Sequence, residues 1–111
     1  MPYSKQLAER VRAGLRQERG VTEKRMFGGL GFLLHGNMLA AVWNNDLIVR
    51  LGEQGAAEAL KQANVRVFDV TGKPMRGWVI AEADGLDRDD QLAAWLDAAL
   101  EFTTTLPRKS T

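Results

Sequence analysis

The sequence predicts an α+β domain: a two-layer sandwich with helices on an antiparallel sheet of about five strands, in the order α-β-β-β-α-β-β-α. Three observations predict it. Apolar residues recur at helical spacing near both ends, at Leu7, Val11 and Leu15 and again at Leu92, Leu96 and Leu100. The middle stretch RMFGGLGFLLHGNMLAAVWNNDLIVRLG alternates short apolar runs with turn residues. The gaps between those runs are far too short for a parallel crossover, which needs a dozen residues or more.

Ser4 is the expected N-cap of the first helix, its hydroxyl accepting from a first-turn amide, and Gly20 is the expected stop. Leu30, Phe32 and Leu34 share one face of the first strand at period two, and Gly36-Asn37 supplies a tight turn. Met38 to Trp43 forms the second strand, Asn44-Asn45-Asp46 the next turn, and Leu47 to Leu51 the third strand. Gly52 closes this meander, and an Ala-rich helix runs to about Ala63. Two further strands, Arg66–Val70 and Gly77–Ala81, flank the loop TGKPMR. The last helix opens at Leu86 and Asp87, with Asp87, Asp89 and Asp90 where the positive helix end favours carboxylates. The tail, residues 104–111, is expected to be flexible and to fray around Pro107 and beyond. The predicted core contains Leu7, Val11, Leu15, Phe32, Leu34, Val42, Leu92 and Leu96.

At 111 residues the chain fits a single domain, spanning 1–111. Fifteen Lys and Arg against fourteen Asp and Glu leave a net charge of +1, which argues against a general polyanion binder. The absence of cysteine removes disulfides, thiolate metal sites and cysteine nucleophiles together. The charged, amphipathic N-terminus is unlike a secretory signal, and no apolar run approaches the ~18 residues that span a bilayer. A cytoplasmic protein without a membrane partner is the expectation.

No catalytic constellation emerges, and neither a cofactor nor a metal is expected. His35 is the single histidine, and no Asp or Glu stands near it at ligand spacing, so it reads as a turn residue. Ser4 and Ser110 lie near the chain ends, where a nucleophile could not be held rigidly. The segment Phe27-Gly28-Gly29-Leu30-Gly31-Phe32 lacks the Lys-Ser/Thr ending of a phosphate loop and runs into a strand, so Gly28 and Gly29 read as structural.

Two surfaces remain as binding candidates. Lys73 and Arg76 in the basic loop, together with Lys24 and Arg25, would form a phosphate-contacting wing for nucleic acid. The meander also carries apolar residues on both faces, where a half-solvated antiparallel sheet alternates apolar with polar. If Leu30, Phe32 and Leu34 face the helices, the opposite face keeps Leu33, Leu39 or its neighbours, Trp43 and Ile48. One account is that the helices wrap around and cover them. The other places Leu33, Trp43 and Ile48, with Arg50 at the edge, against a second copy of the chain or another protein.

The strings RMFGGLGFLLHGNMLAAV, DLIVRL, GKPMRGWV and LAAWLDAAL, in this order, resemble the N-terminal domain of the TfoX/Sxy proteins, bacterial regulators associated with natural competence. The resemblance runs from about residue 5 to 102. Met26-Phe27-Gly28-Gly29 with Gly36 is its most specific part, supported by Gly72-Lys73-Pro74-Met75 with Gly77-Trp78. It implies the same antiparallel sandwich and a regulatory, protein-binding role. It brings no catalytic residues. Full-length competence regulators carry a second, helical C-terminal domain; this chain stops at Thr111, so one domain is expected.

Overall fold

The computed structural model describes residues 3–26, 28–69, 72 and 75–108. Ser4 opens helix α1 (Lys5–Gly14): its backbone is extended and its Oγ accepts the Leu7 amide at 3.1 Å. The helix ends well before Gly20. At its end the amides of Leu15, Arg16 and Glu18 reach the carbonyls of Arg12, Ala13 and Leu15, three residues back, which tightens the chain into a turn. A Cβ on Gly14 would lie 2.7 Å from Leu96 Cδ1, so α1 closes on the last helix through this glycine. Gly20, at φ 83°, turns the chain into a strand instead.

That strand, β1 (Val21–Met26), is the first of six among the described residues, one more than expected. It is followed by β2 (Gly29–Leu34), β3 (Asn37–Trp43), β4 (Asp46–Arg50), β5 (Val65–Val67) and β6 (Trp78–Ala81). The sheet order is β1-β2-β3-β4-β6-β5, with every neighbouring pair antiparallel. The β2–β3 hairpin turns at His35-Gly36, one residue earlier than predicted. Both have positive φ (49° and 85°), as a type I′ turn requires, so His35 is a turn residue as expected. Gly28 is also left-handed (φ 78°), and a Cβ on Gly29 would meet the Val42 carbonyl oxygen at 2.6 Å; both glycines are structural.

Helix α2 (Gly52–Ala59) stops short of Ala63, and β5 is shorter than the predicted strand, whose end at Val70 lies outside the described residues. Helix α3 (Asp89–Thr103) begins after Arg88, whose amide donates to the Gln91 side chain at 3.0 Å. Asp89 and Asp90 therefore occupy its first turn, while Asp87 precedes the cap.

The main core lies between the helices and one face of the sheet. Leu7, Ala8, Val11 and Leu15 of the α1 region, Ala56 and Ala59 of α2, and Leu92, Leu96 and Ala99 of α3 pack on Leu30, Phe32, Leu34, Val42, Leu47, Val49 and Val79. All eight residues predicted for the core are buried. Leu39 departs from the period-two expectation. The register slips between Phe32 and Leu33, where Ala40 opposes Phe32 and Met38 opposes Leu33, so Leu39 is the extra residue of a β-bulge. It joins the helix-side core, and Met38 takes the opposite face in its place.

Candidate functional site

The face turned away from the helices is the feature of the fold that a simple sandwich leaves unexplained. Pairing across the sheet aligns one row on it: Lys24 (β1), Gly31 (β2), Ala41 (β3), Ile48 (β4), Ile80 (β6) and Arg66 (β5). The row is apolar in the middle and cationic at both ends. Its buried residues, Ala41, Ile48 and Ile80, form a second small cluster with Phe68, and no helical residue belongs to it. Among the described residues the helices therefore do not wrap around the sheet to bury this face; Phe68, just after β5, does so with half-buried Met38, Trp43 and Trp78. The Phe68 ring stands 5.9 Å from the Trp78 ring at 52°, and the Phe68 carbonyl accepts the Met75 amide at 2.9 Å.

Beside Phe68 lies an open groove of about 500 Å³, lined by Lys24, Met26, Leu33, Met38, Arg50 and Trp78, with Ile48 as its floor. Gly31 makes room for it. A Cβ there would sit 3.0 Å from Met38 Cε and 3.4 Å from Met26 Cε, so two flexible thioether side chains lie over the glycine. Methionine is the apolar side chain that best adapts to irregular surfaces. A second groove of about 350 Å³ adjoins through Met75 and Trp78, between α2 and the β5–β6 end of the sheet. Among the described residues the three large apolar ones most open to solvent, Leu60, Val67 and Met75, all line it.

Arg50 sets the electrostatics of the first groove. Its guanidinium carbon lies 5.2 Å from the Trp78 ring and 5.9 Å from the Phe102 ring, and Nη1 donates to the Met38 carbonyl at 3.4 Å. Half-buried Arg10 pairs with Asp89 at 3.3 Å, and half-buried Arg66 pairs with Glu82 at 3.1 Å and Asp46 at 3.5 Å. Half-buried Arg50 pairs with no carboxylate among the described residues, and neither does Lys24. On the other side of β1, Glu23 meets Arg12 of α1 at 2.6 and 2.8 Å, which pins the strand to the helix. Those hydrogen bonds hold the Glu23 carboxyl below its ordinary pKa, against a smaller desolvation effect. Glu9 adds a further bond to Arg12.

Of the partner-surface residues read from the sequence, Leu33 and Arg50 line the groove, and Ile48 is its fully buried floor, under Phe68. Trp43 is half-buried on the same face at the far end of β3, with its Cδ1 close to Gly29. The proposed phosphate-contacting residues are dispersed. Lys24 lines the groove, Arg25 opposes Leu30 and so faces the helix side, and Arg76 projects into solvent 3.6 Å from Glu53. Lys73 lies outside the described residues. Sequence reasoning missed Met26, Met38, Phe68, Met75 and Trp78. Trp78 was findable, because it shares the parity of Ile80 in a short strand. Phe68 shares the parity of Arg66 in the predicted strand Arg66–Val70 but falls just past the end of β5, so its seat over the sheet depends on the chain path after that strand.

Among the described residues no helix is long and apolar enough to cross a membrane, and no three His, Cys, Asp or Glu side chains gather to hold a metal ion. The family model of the TfoX N-terminal domain matches residues 13–103, from the last residues of α1 to the end of α3. No curated protein and no solved structure matches the chain.

Proposed function

The chain belongs to the TfoX N-terminal domain family, and from that premise we propose that it is a non-enzymatic interaction module of a bacterial cytoplasmic regulatory pathway. The observation that carries this reading is the open sheet face, an apolar and methionine-rich surface whose buried cluster contains the loop residue Phe68 and no helical residue. Apolar surface that continues from one groove into the next favours a contact with another macromolecule. The groups most able to do chemistry are engaged in the fold: the Ser4 hydroxyl caps α1, and His35 sits in a hairpin turn.

The test compares three tagged proteins in affinity purification: the natural chain, a Met38→Asp/Met75→Glu pair in the grooves, and Asp97→Arg on the exposed side of α3. The expected result is a protein partner retained by the natural chain and the α3 variant, and lost from the groove variant at unchanged melting temperature. Equal retention by all three contradicts the assignment to this face. A second copy of the chain on the same surface would register as a dimer in light scattering at micromolar concentration, and the groove variant would then be monomeric.

A further inference from the structure

We infer that the occupant of the open-face groove is an acidic peptide segment of a partner protein, with an apolar side chain flanked by carboxylates. The inference rests on the interaction reading above and adds the chemistry of the partner. Lys24 and Arg50 are cations on opposite sides of an apolar floor, and neither meets a carboxylate of its own chain among the described residues. Half-buried Arg10 and Arg66 both have such partners, so Arg50 stands as a partly desolvated charge without a counter-charge among the described residues. One of its five N–H donors makes a long bond to the Met38 carbonyl, and the fork can still grip a carboxylate. Between the cations, Met26, Met38 and Leu33 offer a surface that fits a bulky apolar side chain.

Spacing narrows the segment further. Lys24 on β1 and Arg50 on β4 stand three strand spacings apart across the sheet, and Arg50 lies two residues beyond Ile48, which shares the row of Lys24, so the two positions are about 16 Å apart. An extended peptide covers that distance in about five residues, so its acidic residues should stand about five apart around the apolar anchor. Single-stranded nucleic acid would also meet cations and aromatics here, but it needs open rings on which bases stack. Phe68 is 4% exposed and packed against Trp78, so the pair does not offer that platform.

The experiment selects random 16-residue peptides displayed on phage against the full chain and titrates the enriched ones into variants. Enriched sequences should carry Asp or Glu about five residues apart around Leu, Met, Phe or Trp. They should bind Arg50→Gln about tenfold more weakly and Lys24→Glu about threefold more weakly, and should be lost on Met75→Glu. Lys24 is exposed, so its variant keeps the test valid if Arg50→Gln fails to fold. Neutral or basic peptides that still depend on Met75 would overturn the carboxylate inference and leave the interaction reading standing. Peptides indifferent to all three substitutions would overturn both, as would the enrichment of none. A groove that binds decanoate or a twenty-residue oligothymidine in preference to any peptide would also overturn the proposal.

Discussion

The two faces of the sheet use alternate residues of the same strands, yet they are finished in different ways. Toward the helices stand Leu30, Phe32, Val42, Leu47, Val49 and Val79, branched or aromatic side chains met by three helices that leave them with little or no solvent contact. Away from them stand Gly31, Met38, Ala41, Ile48, Arg50 and Trp78, met by the Phe68 ring with no helical residue in their buried cluster, and bordered by cations. The first arrangement is that of a core, where stiff shapes interdigitate at fixed positions. The second combines small residues, flexible thioethers and charges that lack counter-charges among the described residues, a composition suited to a partner. The difference teaches that burial alone does not separate structure from function here. Ile48 is as buried as Val49, one residue along the same strand, but only Val49 lies under helices.

The comparison can be broken most severely at Phe32. Phe32→Ala removes a ring enclosed by the helix layer and should cost about 3–5 kcal/mol in chemical denaturation. Phe68→Ala on the other face should cost less, about 2 kcal/mol, because its ring covers the sheet from one side only. It should also raise binding of an apolar dye by exposing Ile48 and Ile80. If the two substitutions cost the same, the faces are equally core-like and the contrast fails.

How far the sequence discloses this contrast depends on the periods involved. Helix faces were legible because Leu7, Val11 and Leu15 repeat at one period and Leu92, Leu96 and Leu100 at the same one. The meander was legible because turn residues bracket short apolar runs. β1 was not, because an edge strand with Thr22, Glu23, Lys24 and Arg25 open to solvent shows no apolar alternation, and its charges protect that edge from unwanted pairing. The bulge at Leu39 was equally hidden, since a strict period of two places that side chain on the wrong face. On the open face, Leu33, Ile48 and Arg50 were legible from strand parity, whereas Phe68 and Met75 arrive from outside the strands.

A smaller effect sharpens the comparison at its border, where β1 is held on the helix side by Arg12 and Glu23. Both side chains are about a third or more exposed, so solvent screens the pair, and Glu23→Gln should cost only about 0.5 kcal/mol. The sign with pH follows from the depressed carboxyl. Its contribution is present above the unfolded glutamate pKa, about 4.3, and is lost as pH falls through the lower folded value. Denaturation of the natural chain and Glu23→Gln should therefore differ at pH 7 and converge at strongly acidic pH. A constant difference would show that the substitution acts by some route other than this ion pair.

The most direct test of the open face as the working surface is methyl NMR of the whole chain titrated with a peptide selected on it. The account predicts that the Met26, Met38, Met75, Leu33 and Ile48 methyl signals shift together and saturably. Leu7, Val11, Leu92 and Leu96, in the helix-side core, should hold their positions. Shifts concentrated among those helix-side methyls, with the methionines of the open face unmoved, would contradict it.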